Sequence, residues 1–137
     1  MHYLNPIEFL KTIYYGDRYC TAFVVDEINK IIEIHINLIS RIRNKSGHWN
    51  YYSDEDIENG ILVITNVKEV CMDKSGLMPN DQIYDIYAKQ VDEKNYEFTI
   101  ETSYIDEDAR THDLFIKVIG QGVYITDPTN LEIKILS

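Results

Sequence analysis

"YCTAFVVDEINKIIEIHINLISRIR", residues 19–43, carries the pattern that decides the fold. Its apolar side chains recur at every second position, which is the period of a β-strand with one buried and one solvated face. A polar turn around Asp26–Asn29 divides the stretch into a first strand and a long second strand over residues 30–42. In the second strand the apolar and polar positions interleave as Ile32, Glu33, Ile34, His35, Ile36, Asn37 and Leu38.

The segment before this hairpin carries the signals of a helix instead. Asn5 suits an N-cap, Pro6 suits the first helical position, and Glu8 follows the cap by three residues. Gly16 is a stop signal. The apolar residues of one helical face are Phe9, Leu10, Ile13 and Tyr14. We therefore predict a helix over residues 6–15, which is too short to be stable alone and must pack on a sheet.

The rest of the chain also favours strands. Residues 60–73 alternate but skip phase at Asn66, which predicts a β-bulge there. Residues 82–91 fit a helix or a strand, and the alternating segment 96–105 that follows "DEKN" favours a strand in a hairpin. Further strands are expected at residues 114–120, 122–127 and 131–136, with a polar loop at 105–113 and a turn at 127–130.

These elements predict a single domain, residues 1–137, of the α+β class and mainly β. A short N-terminal helix is expected to pack on a mostly antiparallel sheet system of roughly seven or eight strands, arranged as a sandwich or an open barrel.

The net charge of −10 is distributed unevenly along the chain. Residues 1–50 hold six basic and five acidic residues, whereas residues 51–137 hold seven basic and 18 acidic residues. Such an acidic field repels nucleic acid and anionic membranes and attracts basic proteins. We therefore expect a basic protein partner, and neither nucleic acid nor a membrane. Solubility alone is the simpler interpretation of the same charge.

The sequence contains no apolar run of the length of a membrane helix and no secretory signal at its start. We therefore expect a cytoplasmic protein. Cys20 and Cys71 lie in apolar segments and are expected to be buried thiols.

No spacing of histidine, cysteine or acidic residues predicts a metal site, a cofactor or a catalytic centre. Two weak candidates for a catalytic pair are Cys20 with His35 across the first hairpin and the adjacent His112 and Asp113. Arg41, Arg43 and Lys45 alternate as a small basic ridge that is expected to form ion pairs with the acidic remainder.

"GHWNYYSDEDIENG", residues 47–60, combines aromatic and acidic side chains. It fails as an EF-hand loop, because a start at Asp54 places Asn59 where Gly is required and Thr65 where Glu is required. Ser53 as a cap and Gly60 as a stop predict instead a short helical turn over residues 54–59.

We predict that this segment presents a patch to the basic partner, because aromatic side chains carry much of the energy at protein interfaces and acids speed association. The loop "IDEDARTHD", residues 105–113, joins this patch if the fold brings both loops to one edge. The predicted partner-binding residues are Trp49, Tyr51, Tyr52, Asp54, Glu55 and Glu58, with Asp106, Glu107 and Asp108.

"NPIEFLKTIYYGDRYC", followed by a long hairpin and by "GILVITNVKEV", resembles small bacterial proteins, some of them similar to immunity proteins of polymorphic toxin systems. The resemblance covers the overall layout of most of the chain and transfers no site residues. It implies a cytoplasmic binder that neutralises a toxin domain and that is acidic because many such domains are basic nucleases.

Two other functions remain open from the sequence. One is a small enzyme that uses carboxylates or a His–Asp pair. The other is a homo-oligomeric structural domain whose 11 tyrosines line its own interface, since a buried tyrosine hydroxyl needs a partner that a phenylalanine would not.

Overall fold

A computed structural model describes residues 5–43, 50–51, 56–73 and 77–136. Within these ranges it contains one helix and thirteen strands. In chain order they are α1 (Pro6–Lys11), β1 (Ile13–Tyr14), β2 (Cys20–Asp26), β3 (Ile31–Ile36), β4 (Leu38–Arg43), β5 (Asn50–Tyr51), β6 (Ile57–Glu58), β7 (Ile61–Thr65), β8 (Glu69–Met72), β9 (Ile83–Gln90), β10 (Tyr96–Ile105), β11 (Thr111–Gly120), β12 (Gly122–Asp127) and β13 (Asn130–Ile135).

The strands form three antiparallel sheets. A five-stranded sheet has the order β13-β12-β7-β3-β2, and a four-stranded sheet has the order β8-β11-β10-β9. The third sheet also has four strands, but three of them have only two residues, and in it β4 pairs with β1, β5 and β6. The name "four-stranded sheet" is kept below for β8-β11-β10-β9. The predicted α+β class, mainly β with a short N-terminal helix, is confirmed. The strand number is higher than expected because two predicted strands are each divided between sheets and because β1, β5 and β6 form where no strand was predicted.

One hydrophobic cluster joins the two larger sheets and the helix. The five-stranded sheet contributes side chains such as Ile34 and Leu62, and the four-stranded sheet contributes Phe98 and Ile116. All four are at most 1% exposed. Since this burial is the main source of stability, the two sheets and α1 depend on one another for their position.

The hairpin of β2 and β3 forms as the alternation predicts, but the long second strand breaks at Asn37. The Asn37 side-chain oxygen accepts a hydrogen bond from the Tyr19 N–H at 2.8 Å, and its carbonyl oxygen accepts one from the Asn59 N–H at 2.9 Å. Asparagine competes for backbone partners in this way and interrupts regular pairing. The chain therefore leaves the five-stranded sheet at this residue, and β4 enters the third sheet.

The helix ends earlier than predicted. Asn5 caps it as expected, accepting a hydrogen bond from the Glu8 N–H at 2.9 Å, but Lys11 is its last residue. Ile13, placed on the helical face by the sequence pattern, lies in β1 opposite Arg41 of β4. Pairing with β4 thus overrides the helical period. The predicted packing on a sheet is present, since α1 contacts β9.

The predicted bulge at Asn66 is wrong. The phase skip marks instead a crossing of the chain from one sheet to another. β7 lies in the five-stranded sheet and β8 in the four-stranded sheet, and Asn66 between them has a φ of 50°. Asparagine tolerates this left-handed conformation better than most residues. The pattern of residues 82–91 fits a helix or a strand. The structure has the strand β9 over Ile83–Gln90, paired with β10, so the predicted strand is confirmed.

Gly120 marks the return crossing, from β11 to β12, and generates a prediction. A Cβ atom at Gly120 would lie 2.9 Å from Ile64 Cγ2 and 3.0 Å from the Thr65 carbonyl oxygen, both held by the core. We expect Gly120→Ala to lower the free energy of unfolding by about 1–3 kcal/mol, as overpacking does. Gly122→Ala is the matched control, because its Cβ would meet only the Thr65 hydroxyl, which rotates. Urea unfolding of both variants measures the difference, and equal losses would contradict the close approach.

Candidate partner-binding surface

Four of the six residues of segment 47–60 that are predicted to bind a partner lie outside the described residues. They are Trp49, Tyr52, Asp54 and Glu55. Tyr51 is described only by its backbone, which pairs with Ile42 of β4. The aromatic part of that patch therefore stays a prediction.

The second half of the predicted helical turn over residues 54–59 is wrong. Ile57 and Glu58 form β6 and pair with Ile39 and Leu38 of β4. Strand pairing prevails because it buries Ile57, which is only 9% exposed, in the common core. Asn59 then turns the chain with a φ of 54°. Glu58 is exposed, and its strand belongs to the third sheet.

The loop that joins β10 to β11 is organised by the carboxylate of Asp106. It accepts hydrogen bonds from the N–H groups of Asp108 and Arg110, both at 2.9 Å, and lies 2.8 Å from His112 Nε2. The hydrogen bond with His112 and those from the backbone lower the pKa of Asp106. Asp106 is therefore committed to the loop, whereas Glu107 and Asp108 are exposed and free to face a partner.

The candidate catalytic pair of His112 with Asp113 does not form. Adjacent residues of a strand point to opposite faces, so the partner of His112 is Asp106, six positions earlier. The pair borders a surface depression of about 410 Å³, lined by Leu77, Tyr104, Asp106, Glu107, Asp108 and His112.

The outer face of the four-stranded sheet gathers residues that the sequence analysis did not single out. Because inward side chains are buried in the core, the alternate residues of β9, β10 and β11 point outward. The register places Asp85 opposite Glu101 and Glu101 opposite Phe115, in one row across three strands. We call the set Asp85, Tyr87, Glu101, Asp113 and Phe115 the aromatic–acidic surface.

Two carboxylates stand directly opposite each other on this surface. Loss of hydration raises the pKa of Asp85, a hydrogen bond from the Ile86 N–H opposes that shift, and the charge of Glu101 adds to it. Tyr87 donates a hydrogen bond from its hydroxyl to Glu101 Oε1 at 3.1 Å. Like charges facing each other across strands destabilise a sheet. The pair therefore favours a cation that would separate them.

The lysines of the same sheet do not supply that cation. Lys89 Nζ and Lys117 Nζ lie 3.6 Å and 3.9 Å from Glu97 Oε1, so both are drawn to one carboxylate. Among the described residues, no lysine forms an ion pair with Asp85 or Glu101. Positive charge is thus collected at one end of the outer face, and the other end stays acidic.

Two aromatic rings are exposed within the acidic end. Phe115 and Tyr87 are each 43% exposed. Asp113 precedes Phe115 by two positions on the same face of β11, and the Asp73 carboxylate accepts a hydrogen bond from the Phe115 N–H at 3.1 Å. On the outer face Phe115 thus lies between Asp113 and Lys117, with Glu101 opposite it. An exposed phenylalanine bordered by charged residues has the character of an interface anchor with a charged rim.

The structure brings part of the predicted site to this surface. The loop of Asp106, Glu107 and Asp108 closes the β10–β11 hairpin whose strands carry Glu101 and Phe115. At about 3.4 Å per residue, the loop begins roughly 20 Å or less along the strands from Phe115. No strand pairing within the described residues links Glu58 to this hairpin.

Other expectations are corrected by burial. Cys20 is buried as expected, and burial raises the pKa of its thiol to about 11, but Cys71 is exposed.

Arg41 is not part of an exposed basic ridge, because it is 1% exposed, with its Nε donating to the Thr12 hydroxyl at 2.8 Å. In the β2–β3 pairing His35 lies opposite Ala22 and not opposite Cys20. The Nε2 atom of His35 lies 3.0 Å from Glu33 Oε1, so the imidazole does not activate the Cys20 thiol. Lys45 lies outside the described residues.

The described ranges contain no group of three or more histidine, cysteine or acidic residues that could hold a metal ion. They also contain no helix that is long and apolar enough to cross a membrane.

The comparisons with known proteins give one match. The model of the "Family of unknown function (DUF6258)" matches residues 4–137. No curated protein and no solved structure matches the chain.

The role of Asp106 in its loop generates a prediction. We expect Asp106→Asn to lower the thermal midpoint and to speed amide hydrogen exchange at Asp108 and Arg110, because the neutral amide is a weaker acceptor. Asp108→Asn is the matched control, since that side chain is exposed.

The pH dependence of this effect follows from the lowered pKa of Asp106. Because the pKa of Asp106 is lower in the folded state, its ionised carboxylate stabilises the fold at every pH above the ordinary pKa of 3.8. This contribution to stability is lost as the pH falls through the lower pKa of the folded state. The midpoints of the wild type and Asp106→Asn should therefore converge in acid. A constant difference down to the lowest pH at which the protein folds would contradict the assignment.

Proposed function

Since the chain belongs to the DUF6258 family, whose function is unknown, we propose its function from its own surface: it is a cytoplasmic protein-binding module that holds a basic protein partner on the aromatic–acidic surface. The observation that carries the proposal is the like-charged pair of Asp85 and Glu101 beside two exposed aromatic rings.

The facing carboxylates favour a cationic ligand over a neutral one. An arginine or lysine of a partner placed between Asp85 and Glu101 would relieve their repulsion, and the hydrogen bond from Tyr87 already holds Glu101 in place. Such preorganisation lowers the entropy lost on binding. An arginine has the additional advantage that its planar group stacks on aromatic faces.

Phe115 supplies the apolar part of the proposed contact. A side chain that is 43% exposed leaves substantial apolar area to bury, and desolvated aromatics carry much of the affinity at interfaces. The surrounding acids act mainly on the association rate and on its salt dependence. Glu107 and Asp108 extend the negative field along the hairpin and would guide a basic partner toward Phe115.

An immunity-type role is the specific form of this proposal. It is supported by the resemblance of the sequence layout to immunity proteins of polymorphic toxin systems and by the acidity of residues 51–137. A basic toxin domain, such as a nuclease, matches the charge of the surface. In this role the protein acts by occupying its partner, without catalysis.

The His112–Asp106 pair does not favour the enzymatic alternative. In a catalytic pair the carboxylate orients the imidazole toward a substrate, whereas the Asp106 carboxylate also accepts two backbone hydrogen bonds that hold its own loop. The pair is therefore better explained as a clamp on the β10–β11 turn.

The first test of the proposed function is protection of cells from a basic toxin domain encoded by a neighbouring gene, which sequencing of the adjacent locus would identify. We expect co-expression to restore growth, and the two purified proteins to associate with a salt-dependent rate. Failure of the wild type to bind any basic domain encoded beside it would contradict the immunity role.

Two variants test the surface itself in the same binding assay. Phe115→Ala should weaken binding by about 2 kcal/mol, roughly 30-fold, because it removes the apolar anchor. Glu101→Gln should mainly slow association and reduce its salt dependence. Matched controls are Ile28→Ala, a 91% exposed side chain in the β2–β3 turn, and Glu93→Gln, at the opposite end of the β9–β10 hairpin. If the variants and controls bind alike, the partner does not use this surface.

Trp49→Ala tests the other predicted contact separately. If the segment 47–60 presents its aromatics to the same partner, this change should cost roughly 2 kcal/mol of binding. The thermal midpoint of the free variant is the control. Unfolding of the variant would show that Trp49 serves the fold, and unchanged binding would remove the segment from the interface.

A further inference from the structure

A cleft of about 360 Å³ lies between the two larger sheets, where the β2–β3 turn meets the start of β8. The five-stranded sheet contributes Val25 to its apolar floor, and the other side contributes Val67 and Val70. Both of these valines are partly buried against the common core. Small-molecule sites are concave, measure about 300–1,000 Å³ and combine apolar walls with a few polar groups. The cleft therefore has the size and the apolar floor of a small-ligand site.

Val25 is the side chain at which the core is left open. In β2 it points to the same face as Phe23, two positions earlier, and it lies opposite the buried Ile32 of β3. Phe23 is 8% exposed in the common core, whereas Val25 is 46% exposed. The inner face of the five-stranded sheet is thus uncovered at this corner. An apolar group placed beside Val25 would be removed from water together with it.

A second depression, of about 400 Å³, adjoins the cleft and is basic. The two share Lys30, Val67 and Lys68, and the second depression adds Asn66 and Gln121. No carboxylate of the described residues lines it. The Val67 N–H donates a hydrogen bond to the Lys30 carbonyl oxygen at 2.8 Å, which holds the two sides of the depression together. In a chain with a net charge of −10, this is a local site for an anion.

Acidic residues border the cleft but not the second depression. Asp26 accepts three hydrogen bonds within its own turn. Glu27 and Glu69 are exposed, and they line the cleft alone. An anionic group is therefore disfavoured in the cleft and favoured between the lysines. This distribution of charge sets the orientation of a ligand that has one anionic end and one apolar end.

Lys30 and Lys68 are available to such a ligand. Among the described residues, neither lysine forms an ion pair. Hydrogen bonds from Asn95 and Lys94 are the main causes of the lowered pKa of Asp92, and the charge of Lys68 only adds to them. Lys30 has a φ of 57°, a left-handed conformation that asparagine and glycine adopt more readily than lysine does. The fold thus holds a lysine side chain beside the cleft at a conformational cost.

We propose that this corner of the fold binds a small amphipathic anion, with its apolar chain in the cleft and its carboxylate or phosphate group between Lys30 and Lys68. The chain would cover Val25, Val67 and Val70, and the anionic group would form charge-assisted hydrogen bonds with the lysines. Fatty carboxylates and alkyl phosphates share this chemistry. None of these residues belongs to the aromatic–acidic surface, so the proposal does not depend on the protein-binding function.

Titration of the isotope-labelled chain with octanoate, followed by amide chemical shifts in NMR spectra, tests the proposal. We expect saturable shifts at the amides of Lys30, Val67 and Val70. From butanoate to hexanoate and octanoate, each added methylene group should tighten binding by up to about fourfold, which corresponds to about 0.8 kcal/mol. Octyl phosphate, compared with octanoate, shows which anionic group the lysines prefer. Octanol and octyltrimethylammonium should bind roughly tenfold or more weakly than octanoate.

Val25→Trp tests the apolar half of the site. The larger side chain should fill the cleft and weaken octanoate binding roughly tenfold or more. Val24→Trp is the matched control, because Val24 is the next residue of β2, is 39% exposed and lies opposite Glu33 on the outer face. Thermal midpoints of both variants show that each one folds.

The double variant Lys30→Asn/Lys68→Gln tests the charged half. It should also weaken octanoate binding roughly tenfold or more, and its fold should be retained because both side chains are exposed and asparagine suits the backbone at position 30. Lys11→Gln/Lys134→Gln is the matched control, since it removes the same charge from two other exposed positions.

Four results would each overturn the proposal. They are the absence of saturable octanoate binding to the wild type, equally tight binding of octanol or octyltrimethylammonium, equally tight binding of acetate, and equal binding by the variants and their controls. The titration needs no protein partner, so its outcome is separate from that of the tests of the proposed function.

Discussion

The mutual burial of the two larger sheets is the contact on which the rest of the structure depends. Because the side-chain period of a strand is two, burying Phe98 and Ile100 forces Glu97, Thr99 and Glu101 to the other face of β10. The same rule sends Phe115 outward when Ile116 is buried. The aromatic–acidic surface is thus a direct consequence of the core, and a shift of one residue in any of these strands would destroy both.

Local pattern predicted the parts of this fold that local interactions decide. The β2–β3 hairpin follows from strict alternation and from Asp26, whose carboxylate accepts hydrogen bonds from the Ile28 and Asn29 N–H groups. The first turn of α1 follows from its Asn5 cap. Where long-range pairing competes, the local pattern gave the wrong element. Ile13 leaves the helical period to pair with β4, and β6 replaces the second half of the predicted helical turn. These outcomes depend on partners far along the chain, which no window of sequence contains.

The sheet crossings show how one signal has two structural meanings. A phase skip at Asn66 is compatible with a bulge inside one strand or with a change of sheet, because both reverse the buried face. The structure selects the crossing, with Gly120 and Gly122 at the return. The candidate surface was missed for a related reason. Its residues recur at every second position in three strands, but only the register brings Asp85, Glu101 and Phe115 into one row.

Net charge alone describes the surface of this protein poorly. Arg41 adds a positive charge to the composition of residues 1–50, yet it is buried over the Phe9 ring at 4.9 Å and contributes little to the surface. Lys89 and Lys117 are both drawn to Glu97, which removes positive charge from the neighbourhood of Glu101. The acidic end of the outer face is therefore more negative than an even distribution of the same residues would make it. Since a partner responds to the local field within about 10 Å, this arrangement, and not the total of −10, determines where a basic protein would first make contact.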